Sequence, residues 1–287
     1  MQKRDSGRSG RAFPTAEEDR ASAKRAPATP QTLSPAYRLA FDDLDFILRD
    51  DMRSVRLQLE LMKPELILQE RGIVSTVVIF GSARIPDPDS LSGEGEAPSP
   101  AVERLRTKAG HYEEARKFAR FASLEALKHY GREFVVVSGG GPGIMEAANR
   151  GASDVDAPSI GLNIVLPREQ EPNRHITPEL CFQFHYFAIR KMHFLLRAKA
   201  LACFPGGFGT LDELFEALCL MQTGKIDRIP VILFGADFWD RVINFDALVE
   251  EGTISPGDRD LFCFVETAEE GWAAVRAFYA MGGGLDD

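Results

Sequence analysis

Short apolar runs that end in glycine and lead into amphipathic stretches recur along this chain, and they leave few folds open. Thr76-Val77-Val78-Ile79-Phe80 ends in Gly81-Ser82 and shows no polar alternation along its length. A strand without a polar face has no side for water, which marks a parallel strand covered by helices on both faces. Phe134–Val137, Ser159–Leu162, Cys181–Phe184, Ala200–Phe204 and Pro230–Phe234 read as further strands. Most are followed by helical spacing, as from about Gly110 to Tyr130, where Phe118, Phe121, Leu124 and Leu127 fall on one side. Strands alternating with helices predict an α/β fold, a doubly wound parallel sheet with helices on both faces.

The flanks are different. Residues 1–35 are rich in Arg, Ser, Ala and Pro without apolar period, which predicts a disordered tail. Residues 36–287 are expected to form one domain with an N-terminal helical extension over 36–71. There Leu39, Phe41, Leu44, Ile47 and Leu48, then Met52, Val55, Leu59 and Met62, form an amphipathic stripe, expected as a long helix or as two helices broken near Pro64. Residues 86–100 hold Pro, Gly, Ser and acids and predict an exposed loop.

The 287 residues carry a net charge of −9. Wrapping a nucleic-acid backbone needs clustered cations, so a nucleic-acid partner is not expected, whereas a small anion in a local positive pocket is. No apolar run reaches the roughly 18–20 residues of a membrane span, and Met1 to Arg25 lacks the apolar segment of a secretory signal. Cys181, Cys203, Cys219 and Cys263 lie far apart, three of them among apolar neighbours, without metal-ligand spacing. They read as buried thiols in a reducing, cytoplasmic compartment. Neither a metal nor an organic cofactor is called for.

Two glycine-rich turns carry the chemistry. Val135-Val136-Val137 runs into Ser138-Gly139-Gly140-Gly141-Pro142-Gly143, and Ile144 onward reads as helix. Glycines let backbone approach a ligand, and the helix behind them offers free N–H groups and a positive dipole end. A dinucleotide fingerprint would place glycine where Ile144 stands and an acid at the end of the next strand, where Asn163 stands. Ala200–Phe204 leads into the second turn, Pro205-Gly206-Gly207-Phe208-Gly209-Thr210, followed by Leu211-Asp212-Glu213. Two such turns on one sheet can converge on one ligand, and phosphate is the expected guest. No G-x-x-x-x-G-K-[ST] is present.

Read by itself, Thr210-Leu211-Asp212-Glu213 is a capping box, with Thr210 at the N-cap and Glu213 reaching back. Arg190, in Phe187-Ala188-Ile189-Arg190-Lys191-Met192-His193-Phe194, reads by itself as a solvated charge on a mixed helix. His185 and His193 read as structural, and Phe184, Tyr186 and Phe187 as core or as stacking partners for a base.

The pairing of Gly139-Gly140-Gly141-Pro142-Gly143 with Pro205-Gly206-Gly207-Phe208-Gly209-Thr210-Leu211-Asp212-Glu213 resembles the Lonely Guy (LOG) family, whose second motif is PGGxGTxxE. The resemblance covers roughly residues 72–240 and includes Arg190-Lys191 at the family's Arg-Lys pair. Ala188 and Lys199 stand where short plant-like members carry His and Asp.

The resemblance implies a Rossmann-like fold, a homodimer or larger assembly of dimers, and phosphoribohydrolase activity. A nucleoside 5′-monophosphate, AMP or a cytokinin riboside 5′-monophosphate, would give free base and ribose 5-phosphate. It implies catalytic roles for Arg190 and Glu213. Substrate or phosphate binding falls to Ser82, Gly139, Gly140, Gly141, Lys191, Gly206, Gly207, Gly209 and Thr210. The alternatives are a non-catalytic nucleotide-binding regulator on the same fold and a pyridoxal-phosphate decarboxylase. For the second, no lysine stands in a recognisable Schiff-base setting.

Overall fold

The computed structural model describes residues 13–92, 99–167 and 171–281. The chain parts into two compact units, Met1–Leu59 and Glu60–Asp287, rather than at residue 35. In the first unit, helix α1 (Ala16–Ala23) begins on a capping box: Glu18 N donates to Thr15 Oγ1 (3.2 Å) and Thr15 N to Glu18 Oε2 (2.7 Å). Regular structure therefore lies inside the stretch expected to be disordered, because Thr-Ala-Glu-Glu satisfies its own helix end; residues 1–12 fall outside the described residues. A short α2 (Leu44–Ile47) is capped by the Asp43 carboxylate. No residue between 13 and 59 is buried.

Helix α3 (Arg53–Glu70) runs unbroken through Pro64, which decides between the two readings of the stripe there. Proline at 64 has no N–H for the Glu60 carbonyl. His193 Nε2 takes that carbonyl instead, at 3.3 Å. The tertiary partner makes the proline tolerable, and it gives His193 a structural task.

The second unit is built on seven strands: β1 (Thr76–Phe80), β2 (Val135–Ser138), β3 (Ser159–Ile164), β4 (Cys181–Phe184), β5 (Ala198–Cys203), β6 (Val231–Phe234) and β7 (Cys263–Val265). Every pairing is parallel, in the order β4-β3-β2-β1-β5-β6-β7. The doubly wound reading is right, and the three-residue β7 is the strand that the sequence pattern did not announce. Helices α4 (Pro100–Arg106), α5 (Gly110–Lys128), α6 (Ile144–Ser153), α7 (Phe187–Leu195), α8 (Phe208–Gln222), α9 (Ala236–Val242), α10 (Phe245–Glu250) and α11 (Ala268–Met281) complete it.

Both faces of β1 are buried, as the apolar run requires. Val78 and Phe80 join a core with Leu68 of α3, Phe194 of α7, Leu214 of α8 and Trp239 of α9. Val77 and Ile79 join the opposite core with Phe118 of α5, Ile144 of α6 and Trp272 of α11. The buried side of α5 is Tyr112, Ala115, Phe118, Ala119, Ala122 and Ala126, and Leu124 and Leu127 are exposed. Small residues win that face because α6 comes close: a Cβ on Gly151 would stand 2.1 Å from the Arg116 carbonyl oxygen. Of the cysteines, Cys203 is buried, but Cys219 and Cys263 are exposed, which corrects the expectation of buried thiols.

The chain lays down β1 to β4 outward on one side, then returns to place β5 on the other side of β1. This switch point leaves a crevice at the carboxyl ends of β1 and β5, the place where open α/β sheets bind ligands.

Candidate active site

The turns after β1 and β5 are tied to one another. Phe204 N donates to the Phe80 carbonyl (2.8 Å) and Ser82 N to the Pro205 carbonyl (3.0 Å). Above them opens a crevice of about 1180 Å³. Its lining includes Ser82, Gly139, Arg190, Gly206, Gly207, Gly209, Thr210 and Glu213, so most of the residues singled out in the sequence meet there.

Helix α8 begins at Phe208 with Gly207 as its N-cap, and no side chain caps it. Its first intrahelical bond is Leu211 N to the Gly207 carbonyl (3.0 Å), so the N–H groups of Phe208, Gly209 and Thr210 have no partner within the helix. Gly206 is required by packing: a Cβ there would stand 2.1 Å from Thr210 Oγ1. This helix end is an open anion seat facing the crevice. The corresponding end of α6 is partly closed, because Ile144 N donates to the Ser82 carbonyl (3.2 Å). Ser82 Oγ accepts from Arg84 N (3.1 Å) and shapes its own turn.

Thr210 lies inside α8, not at its N-cap, so the capping-box reading of Glu213 does not hold. Glu213 sits in the second turn, 7% exposed. Burial pushes its pKa from 4.5 up to about 7, against the pull of Lys191 and Arg190. Arg190 is not a solvated charge either. Its Nε donates to the Leu162 carbonyl at 2.7 Å, and its guanidinium lies over the Phe194 ring, 5.2 Å from the centroid. Burial lowers its pKa from the usual arginine value while Glu213 raises it; an arginine stays cationic under such a shift. Gly139 makes room for this guanidinium, since a Cβ would come within 2.7 Å of it.

Three residues expected to bind phosphate do other work. Lys191 Nζ is held by Asp212 (2.9 Å) and Glu216 (3.2 Å) and does not line the crevice. Burial opposes its charge, yet these carboxylates leave its pKa raised, the reverse of what a Schiff-base nucleophile needs. Gly140 and Gly141 face the loop beside them: Asn173 N donates to the Gly140 carbonyl (2.9 Å) and Asn173 Nδ2 to that of Gly141 (3.1 Å). Of the first glycine triad, Gly139 reaches the lining.

Sequence reasoning missed the scaffold of that loop. Asn149 is fully buried on α6; its Oδ1 accepts from Ser138 Oγ (2.7 Å) and Asn173 Nδ2 (3.0 Å), and its amide donates to Ser159 Oγ (3.0 Å). An asparagine on the apolar face of a helix was the available signal. Glu60 was missed as well. Its carboxylate accepts from His185 N (2.8 Å) and Tyr186 N (3.0 Å) at the start of α7, which carries Arg190. Of the aromatics considered for base stacking, Phe187 lines the crevice, and Phe184 is core. Met145 also lines it, as do the cations Arg84, Arg104, Lys108 and Arg241, none of which a motif marks.

Fold and site define a doubly wound α/β protein whose switch-point crevice is lined by an uncapped helix N-terminus, a half-buried arginine and a buried glutamate. Residues 145–275 match the family described as "Possible lysine decarboxylase". The chain is 30% identical over 206 residues to "Probable cytokinin riboside 5'-monophosphate phosphoribohydrolase LOGL6" of Oryza sativa subsp. japonica, covering 67% of this chain and 80% of that one. It is 33% identical over 141 residues to "Cytokinin riboside 5'-monophosphate phosphoribohydrolase LOG3" of Arabidopsis thaliana, covering 47% of this chain and 63% of the relative's length. The chain belongs to the LOG family. Among solved structures, the molybdenum cofactor binding protein of Rippkaea orientalis matches with a TM-score of 0.43 and 19% identity, over 71% of this chain and 96% of that one.

Proposed function

We infer that the protein is a phosphoribohydrolase that cleaves the N-glycosidic bond of a nucleoside 5′-monophosphate, AMP or a cytokinin riboside 5′-monophosphate. The observation that carries this reading is the pair Arg190 and Glu213, set in one crevice beside the uncapped N-terminus of α8. The 5′-phosphate sits on the N–H groups of Phe208, Gly209 and Thr210, where dipole and free donors favour an anion. The base lies toward Arg190, Met145 and Phe187.

Breaking the C1′–N bond leaves its electron pair on the base and cationic character on the ribose, as in other glycoside cleavages. A permanent cation at Arg190 favours departure of the purine nitrogen. The Glu213 carboxylate stabilises the sugar cation and takes the proton of the attacking water, whose oxygen bonds to C1′. Base and ribose 5-phosphate result. A regulator that only bound nucleotide would have no need to bury a carboxylate beside its ligand.

The test is incubation with a panel of nucleoside monophosphates, assaying free base and ribose 5-phosphate. Release of both from AMP or an N6-modified AMP supports the reading, and release from none of the panel overturns it. The working protein is a cytoplasmic homodimer or assembly of dimers. Phe187, Met192 and Leu196 on and after α7 are 53%, 45% and 52% exposed beside the crevice, a face suited to a second copy. Phe194, on the same helix, is core and takes no part in that face. Light scattering that finds an active monomer removes the assembly.

A further inference from the structure

The crevice is larger than a monophosphate needs, and its surplus is cationic. At about 1180 Å³ it exceeds the roughly 300–1,000 Å³ of ordinary small-ligand sites. Besides Arg190, its lining holds Arg84, Arg104, Lys108 and Arg241, with Asp212, Glu213 and Asp237 as the carboxylates.

These cations come from two segments that meet. Arg104 lies on α4 and Lys108 in the turn that follows it, whereas Asp237 and Arg241 are four residues apart on α9. Lys108 Nζ lies over the Phe238 ring of α9, 5.6 Å from its centroid, which joins the segments into one wall. Some cations of this surface are paired, Arg116 with Asp154, Arg150 with Asp87, Lys191 with Asp212 and Glu216. Among the described residues no such pair engages Arg84, Arg104, Lys108 or Arg241, of which the three arginines are exposed. In a chain of net charge −9, the gathering of these four along one crevice is the feature to be explained.

We propose that this wall is a second anion subsite, which takes the β-phosphoryl group of a nucleoside 5′-diphosphate whose α-phosphoryl group sits on the α8 N-terminus. The inference rests on the reading of that helix end as the 5′-phosphate seat. Nucleoside diphosphates then occupy the site in competition with monophosphates, held by charge-assisted hydrogen bonds from Arg104, Lys108 and Arg241. The phosphoryl chain runs away from Glu213, so binding asks nothing of the cleavage groups.

Full-length protein carrying Glu213→Gln, which should not consume ligand, is titrated calorimetrically with AMP, ADP and orthophosphate. ADP is expected to bind about tenfold tighter than AMP or better, a ratio that corresponds to one strong charge-assisted contact. Adding Lys108→Gln and Arg241→Gln should cut that advantage to about threefold or less and leave the AMP affinity within about twofold, the sites being on exposed or half-exposed positions. Arg241→Gln alone, with its melting temperature checked, covers the case in which the combined variant misfolds. Raising salt should weaken ADP more than AMP. Equal affinities for ADP and AMP, or variants that weaken both alike, overturn the proposal. So does orthophosphate that tightens AMP while ADP gains nothing, because the subsite then holds a free ion. The readout is binding, so AMP that binds the wild-type protein without being cleaved would sink the hydrolase reading and leave the subsite standing.

Discussion

At the scale of single residues, Glu213 is where sequence and structure diverge most usefully. The sequence offers a capping box, but α8 starts three residues earlier than that box requires, on an uncapped Gly207. Local pattern cannot show this, because no side chain marks an end whose first N–H groups are left open. The family resemblance does single out Glu213, and the site it occupies raises its pKa to about 7. The folded chain thus holds a proton that the unfolded chain releases between about pH 4.5 and 7, so stability falls as pH rises through that window. The cost is fully present above pH 7 and amounts to about 3 kcal/mol, at about 1.4 kcal/mol per pKa unit. Glu213→Gln removes it, and melts should find the variant more stable than wild type at pH 8 but not at pH 4. AMP cleavage should rise with pH through about 7 as the carboxylate ionises. In the variant, turnover should fall by about two orders of magnitude or more, equivalent to about 3 kcal/mol in the barrier, with AMP binding kept. A variant that retains half of the wild-type turnover would leave Glu213 no catalytic part.

At the scale of elements, the buried parallel strands were legible because all-apolar runs have one environment that suits them; Thr76–Phe80 and Cys181–Phe184 fall where the pattern put them. Helix α3 was not, because its continuity depends on His193, distant in sequence, taking the carbonyl that Pro64 frees. A consequence can be measured. His193→Leu strands the part-buried Glu60 carbonyl and should cost about 1 kcal/mol in urea unfolding. Pro64→Ala supplies an N–H to the same carbonyl, so adding it should return part of the loss. Simple additivity of the two changes would mean they act on different groups. The α5–α6 contact makes a sharper demand. Gly151→Ala would drive a methyl to 2.1 Å from the Arg116 carbonyl oxygen and 2.9 Å from Ala119 Cβ. Backbone on one side leaves little room to give, and the expected loss is about 1–3 kcal/mol. Because α6 also carries Asn149, the loss should spread to the loop holding Gly139 and lower AMP turnover as well.

At the scale of the whole molecule, the site is assembled from segments far apart in sequence, which sets what a reader of the sequence can find. Motif-bearing turns at 139–143 and 205–213 were visible, whereas Arg104, Lys108 and Arg241 carry no local mark and line the crevice only once the fold has brought Lys108 onto Phe238 of α9. Remote binding energy should serve the reacting centre. With the phosphate gripped by α8, AMP should be cleaved while adenosine is not, and equal turnover of the two would remove the phosphate seat from the mechanism. The division of the chain at Leu59 leads to the last expectation. Every residue lining the crevice, and both hydrophobic cores, come from the second unit. Between residues 13 and 59 no side chain is buried, and α1 is held by its own capping box. Folding energy comes chiefly from buried apolar area, and of residues 1–30 the described ones, 13–30, bury no side chain. Their deletion should leave AMP turnover near that of the full chain and shift the melting temperature by no more than about 2 °C, the change expected of about 0.5 kcal/mol in a domain of this size. A larger drop in melting temperature, or a loss of turnover, would show that the first thirty residues support the catalytic unit after all. If light scattering found the shortened chain dissociated as well, that support would run through the assembly.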